Sequence, residues 1–293
     1  MNAEIKKIIE GMMPSSQKTY KNSYLKLRDV LGLADKRKRV KNVFLLDDIL
    51  IKLNDIPNPN TRYSVFKIVV KLFPEKQYED TIANYFTQIK TVVRKHKVCD
   101  NKQLQTTIAS YDDINKAIKK ETNPLVYITS FLIFRVNSRN QDIAYTKVHK
   151  SVDNEDALDN SMNHLYIKNG KAVWIRNIYK TAKTYGQKRN VINVKKFVAM
   201  IQQFLGEADS KMLYSKSDGS PVSITSVASY LRRRIVLGLT EGEIVKSVLS
   251  HIEKNGDNQM LRAVADNRGT SIAVLMKEYD VNNVDEPTDV ICD

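Results

Sequence analysis

Most of this chain repeats its apolar residues at helical spacing, and one window does not. In "HLYIKNGKAVWI", His164 to Ile175, two short strand-like runs flank Asn169-Gly170. An Asn-Gly pair between such runs is a strong hairpin signal. The stretch "NIYKTAKTYGQKRNVINV" that follows supplies a third strand, with Tyr185-Gly186 in a turn. A chain that reads as helix before and after this window is confined to a mainly α fold with a small antiparallel β-sheet.

The first hundred residues read as helices. Tyr20, Tyr24, Leu27 and Leu31 recur at helical spacing, and "VFLLDDILIKL" is a second apolar-faced helix. "DIPNPN" breaks it, and Asn60 or Thr61 caps the next, "RYSVFKIVVKLF". "YEDTIANYFTQIKTVVRKHK" is a fourth, and Val98 to Ser110 are polar without a strong period, which reads as a linker. Ser110 or Asp112 opens "DDINKAIKK", and "NPLVYITSFLIF" is apolar enough for a buried helix. After the hairpin, helices return in "VKKFVAMIQQFLG", "SITSVASYLRRRI", "EGEIVKSVLSHIEK" and "SIAVLMKEY". The expected domains are residues 1–98, a linker at 99–110, and residues 111–293 with an acidic tail after Tyr279.

The net charge of +14 says more about partners than about fold. Such a field attracts polyanions, with nucleic acid the first candidate and an anionic membrane surface the second. Candidate phosphate contacts are Lys36, Arg37, Lys38, Arg39 and Lys41 in one run, then Lys183, Lys188 and Arg189, then Arg232, Arg233 and Arg234. No run of about 18 apolar residues is present, so no membrane span is expected. The opening "MNAEIKKIIEGMM" lacks a secretory pattern, so the expected location is intracellular rather than secreted. Two cysteines, Cys99 and Cys292, offer no disulfide framework and no metal set, and the compartment reads as reducing. No metal and no cofactor is expected.

Several motifs together resemble the tyrosine recombinases, or phage-type integrases, especially their divergent relatives in large DNA viruses and mobile elements. "SSQKTYKNSYLKLRDVLG" is similar to the opening helix of that family's core-binding domain. "NSRNQDIAYTKVHK" resembles the first catalytic arginine segment, with Arg139 and Asp142 in place and Arg135 the alternative register. "IYKTAKTYG" resembles the viral branch's lysine hairpin, with Lys180 matching the lysine that protonates the departing 5′ oxygen and Lys183 second in line. "NRGTS" resembles the family's Leu-Gly-His-Ser segment, and Tyr279 then falls at the nucleophile position.

The departures are specific. In "LTEGEIVKSVLSH", Gly242 and Val245 stand where the family has the His and Arg of its His-x-x-Arg segment. A shift of one residue brings in Glu243 and Lys246, and Lys246 keeps the charge without the bidentate fork. His251 lies further along and reads as an ordinary helix residue. Thr270 replaces the second His, and the adjacent Arg268 offers a compensating charge.

The resemblance therefore implies two functions. One is a DNA strand transferase acting through a 3′-phosphotyrosine in site-specific recombination or integration, with Tyr279, Arg139, Lys180, Lys246, Arg268 and Thr270 at the site. The other is a catalytically degenerate relative that binds DNA in a structural, junction or telomere role. Either way the expected partners are double-stranded DNA, including branched junctions, and further copies of the chain up to a tetramer. The expected location is with DNA, in a nucleus, virus factory or virion if viral and in the cytoplasm if bacterial. The acidic tail, Asp280 to Asp293, is expected to dock on a neighbouring subunit or to screen the empty DNA channel.

Overall fold

The computed structural model describes residues 3–12, 14–35, 37–216, 222, 231 and 234–279. Lys36, Arg232, Arg233, Cys292 and the acidic tail lie outside the described residues. The chain is mainly helical with one small mixed sheet, and it divides into two compact units, one up to Gln103 and one from Leu104.

The first unit holds α1 (Ala3–Ile9), α2 (Pro14–Val30), α3 (Leu46–Leu53), α4 (Pro59–Leu72) and most of α5 (Glu79–Thr107). Its core is the stripe that helical spacing predicts: Tyr24 and Leu27 from α2, Ile49 and Leu53 from α3, and Val65, Phe66 and Val69 from α4. Asn58 caps α4, its Oδ1 accepting the Thr61 N–H at 2.9 Å, with Pro59 in the first turn. The cap is therefore neither Asn60 nor Thr61. Helix α5 runs on to Thr107, so most of the stretch expected to be a linker is helical. Its polar residues need no apolar period, because only a narrow side of the helix meets a core. Cys99, on α5, is disulfide-bonded, which removes the support the cysteines gave to a reducing compartment.

The basic run after α2 is built rather than loose. Buried Arg28 donates from Nη1 to the Lys38 carbonyl at 2.8 Å and from Nη2 to the Leu33 carbonyl at 3.0 Å. Arg37, Lys38, Arg39 and Lys41 are exposed on that loop, and Lys41 pairs with Glu75.

The second unit begins with α6 (Tyr111–Lys120), which Ser110 caps by accepting the Asp113 N–H at 3.1 Å. Next comes α7 (Pro124–Arg135), buried from Tyr127 through Phe134. A short α8 (Asn140–Ala144) leads into β1 (Thr146–His149), β2 (Asn163–Lys168), β3 (Lys171–Arg176), α9 (Ala182–Tyr185), β4 (Lys188–Ile192), α10 (Lys195–Leu205) and β5 (Ser210–Met212). Among the described residues three α-helices follow: α11 (Glu241–Asn255), α12 (Asn258–Arg268) and α13 (Ile272–Tyr279). The strand order is β4-β3-β2-β1-β5. The sheet is mixed rather than antiparallel throughout, because β1 and β2 run parallel. Strands β1 and β5 are too short to show an alternating pattern, which hid that pairing from the sequence.

The β2–β3 turn is the predicted one, with Asn169 at φ 51° and Gly170 at φ 69°. A side chain at Gly170 must adopt the left-handed region. Gly170→Val is expected to cost about 1–2 kcal/mol, seen as a lower melting temperature by circular dichroism, whereas Asn169→Gly leaves stability nearly unchanged.

Two histidines face each other on β1 and β2. His164 Nε2 lies 2.8 Å from the Asp159 carbonyl and must donate to it, so its Nδ1 accepts from His149 Nε2 at 2.9 Å. Burial first, then His164 and Lys147, holds the His149 imidazole down to about 4 from 6.5. Between those values the unfolded chain binds the extra proton. Stability present above 6.5 is therefore lost as pH falls toward 4. Urea unfolding across that window should show the loss in wild type, and His149→Asn should flatten it.

Candidate active site

The site is organised by the end of one helix. Helix α12 starts at its Asp257 cap, which accepts the Met260 N–H at 2.8 Å, and stops at Gly269, in the left-handed region at φ 58°. A side chain at Gly269 would collide with Thr181 Oγ1 as well as strain the backbone. The last turn leaves carbonyls without helical partners, at the negative end of the helix dipole. Four consecutive carbonyls there accept bonds from outside the helix. Asp266 accepts from Lys188 Nζ, Asn267 from Arg176 Nη1 at 2.9 Å, Arg268 from Arg139 Nη1, and Gly269 from Thr181 Oγ1 at 2.8 Å.

Arg139 reaches this turn from the start of α8. The chain leaves α7 through Asn137, at φ 55°, and Arg139 caps the next helix with its N–H donated to Asp142 Oδ2 at 3.3 Å. Arg139 is half-buried, and its pKa is lowered by burial and by Arg268, against the pull of Asp142, Tyr279 and Glu241.

Arg176, at the end of β3, locks the two segments together. It is fully buried, 3.0 Å from Asp142 Oδ2, 2.9 Å from Asn190 Oδ1, and 4.9 Å from the Trp174 ring centroid. Burial pushes the Asp142 carboxyl up and the Arg176 guanidinium beside it pulls it back. Sequence reasoning passed over Arg176, because an arginine at a strand end reads as a surface residue.

Arg268 turns inward and has no exposed surface. Its Nη1 donates to the carbonyls of Asn137 at 3.3 Å and Ser138 at 3.5 Å. Its Nη2 donates to Glu241 Oε1 at 2.6 Å and to the Tyr279 hydroxyl at 2.9 Å. The Tyr279 ring centroid lies 4.7 Å from the guanidinium carbon. Glu241, in the first turn of α11, also accepts the Asn140 N–H at 2.7 Å. Sequence reasoning missed Glu241 too, because an acidic residue there reads as a partner of the helix dipole.

Three of the expected site residues, Arg139, Arg268 and Tyr279, thus converge. Lys180 is exposed on the β3–β4 connection, next to the Thr181 that holds Gly269. Thr270 continues the helix cap, donating its N–H to the Ala265 carbonyl at 3.0 Å. Of the two residues that the register shift introduced, Lys246 is half-buried on α11. Glu243 is used in a capping box, with its carboxylate 2.6 Å from the Thr240 N–H. Val245 is buried in the core. Arg135 points to α6 instead, bonding Tyr111 and Asn115. His251 stacks on Tyr111 at 3.9 Å, a packing role.

The flanking cations are engaged to different degrees. Lys188 pairs with Asp266 at 3.1 Å, and Arg189 with Glu155 at 3.2 Å. Arg189, then Lys168 and Tyr166, hold the Glu155 carboxyl down to about 2. Lys183 is exposed and Arg234 is half-buried. Among the described residues no cluster of three or more His, Cys, Asp or Glu could hold a metal, and no helix is long and apolar enough to cross a membrane.

No family model matches this chain, and no curated protein matches it. Among solved structures, the crystal structure of XerA recombinase is similar over 96% of this chain and 93% of its own. The identity is 10% and the TM-score 0.35, a likeness too loose to assign roles.

Removing one partner of the buried Arg176–Asp142 pair leaves an uncompensated charge. Arg176→Met is expected to cost about 3–5 kcal/mol in chemical denaturation, and adding Asp142→Leu should recover much of it.

Proposed function

We propose that this protein binds double-stranded DNA and breaks and rejoins its strands through a phosphotyrosine at Tyr279. The observation that carries the reading is the contact between Arg268 Nη2 and the Tyr279 hydroxyl at 2.9 Å, with Arg139 anchored on the same residue's carbonyl. Two permanently charged guanidiniums beside a phenol supply what phosphoryl transfer requires. They offer donors for the charge gathered on the phosphate oxygens and a nucleophile within reach. A phenol attacks only where neighbouring cations or a base favour its ionised form.

In this scheme the Tyr279 oxygen bonds to phosphorus as the bond to the 5′ oxygen breaks. The phenolic proton leaves to solvent, and Lys180 protonates the departing oxygen. The 3′-phosphotyrosine conserves the phosphoester bond. Rejoining to another strand gives recombination or integration, and rejoining to the same strand gives relaxation. Assembly on DNA, up to a tetramer or on a branched junction, belongs to the same reading, as does a location with DNA.

A second reading has its own observation. Arg268 is wholly buried and paired with Glu241, and an apolar Val245 fills the place of the family's second arginine. A protein that kept the fold for structural DNA binding has the same features.

Trapping on nicked suicide substrates, linear and branched, at low salt, separates the two. The expected result is protein that stays attached to DNA after denaturation in wild type and not in Tyr279→Phe. Arg139→Ala should slow adduct formation by about 10²–10³-fold. Salt-sensitive binding with no adduct on any substrate would favour the structural role.

A further inference from the structure

Arg268 has five N–H donors, and four of them are already engaged. Both hydrogens of Nη1 go to backbone carbonyls of Asn137 and Ser138, which the chain fixes in place. Those of Nη2 go to Glu241 and to the Tyr279 hydroxyl. The fifth, on Nε, is buried and has no hydrogen-bond partner among the described residues. An anion can therefore bond the Nη atoms only by taking the place of an existing acceptor.

The acceptors differ in how readily they leave. The carbonyls belong to a segment held by the α8 cap. Tyr279 must stay, since its oxygen has to lie within about 3–3.5 Å of the phosphorus to attack. Glu241 is a side chain on the first turn of α11, and it alone among the four carries a full negative charge. Its side chain retains 15% exposure where Arg268 has none, so it has a path outward.

Resting on the DNA-strand-transfer reading, we infer that the Glu241 carboxylate occupies the seat of the scissile phosphate in the DNA-free protein. Binding exchanges this internal anion for a phosphodiester. Three features of the carboxylate fit that place. It bonds the same nitrogen that touches the nucleophile, at 2.6 Å. Its other oxygen takes the Asn140 N–H, a donor that a phosphate oxygen would inherit. It also adds to the negative field around Arg139, the second guanidinium of the site. Glu241 thus sets a threshold: DNA must outcompete a tethered carboxylate before the nucleophile meets phosphorus.

The test is duplex binding, measured by fluorescence anisotropy over a salt series. All proteins carry Tyr279→Phe, so that covalent capture adds nothing to affinity. Glu241→Gln and Glu241→Ala are compared with the parent, with melting temperatures recorded for each. The expected result is binding tighter by on the order of tenfold at low salt, since a charge-assisted contact no longer has to be broken. The salt dependence should steepen by about 0.9 in the log–log slope, because the site then meets the phosphate with one net positive charge that Glu241 no longer offsets. Adding Arg268→Lys should reduce the gain. Stably folded Glu241 variants that bind duplex no tighter than the parent, with the same slope, overturn this inference and leave DNA binding standing. A parent that binds no duplex, with neither Glu241 variant restoring binding, overturns both.

Discussion

The last turn of α12 is the constraint on which the rest of the second unit depends. A helix that stops at a left-handed glycine presents a ring of carbonyls at its negative end. This chain feeds Lys188, Arg176, Arg139 and Thr181 into that ring, from β4, β3, α8 and the β3–β4 connection. Burying guanidiniums is costly unless each finds acceptors. Two carboxylates, Asp142 and Glu241, serve three arginines here, and backbone carbonyls, the Asn190 and Asn267 side-chain amides and the Tyr279 hydroxyl supply the remaining acceptors. Strand ends, helix cap and both candidate phosphate ligands are thus positioned by one set of bonds. A shift of α12 along its axis would disturb all of them together.

The arrangement leaves more positive than negative charge at the site, with the excess drawn inward. That suits a pocket whose natural occupant is an anion. Here a protein carboxylate and a phenol cover a guanidinium with no exposed surface. The basic loop of the first unit works differently. Arg28 fixes its backbone from beneath and leaves the charged side chains outside.

Parts of this were legible in the sequence, and the parts that were not share a cause. The hairpin was readable because Asn169-Gly170 states a backbone conformation directly. Tyr24, Leu27, Phe66 and Val69 were readable because burial follows periodicity. Helix α12 was not read at all, although it has a cap at Asp257 and a stop at Gly269, because its middle is polar and its apolar face is narrow. The place of Glu243 on α11 had a local signal. Thr240 and Glu243 form the Ser/Thr-x-x-Glu pattern of a capping box, which assigns Glu243 to the helix start and removes it from the site. Arg176 and Glu241 could not have been found that way. Their roles arise from contacts across 91 and 27 residues of sequence, and no local pattern marks them.

The replacement of the expected second arginine changes which parts of the site move together. Val245 packs into the core from α11, and the guanidinium that touches Tyr279 is that of Arg268, at the end of α12. Arg268 and Tyr279 are then joined by a single short connection and α13, with only Gly269 in a left-handed conformation between them. Arg268 and Tyr279 therefore sit on one continuous piece of chain, while Arg139 approaches from another element and is tied to it through a carbonyl. A displacement of α13 that withdraws Tyr279 also removes an acceptor from Arg268, and one that restores it rebuilds the pair. Coupling the position of Tyr279 to the bonding of Arg268 in this way requires no separate device, because the same Nη2 atom bonds both Tyr279 and Glu241.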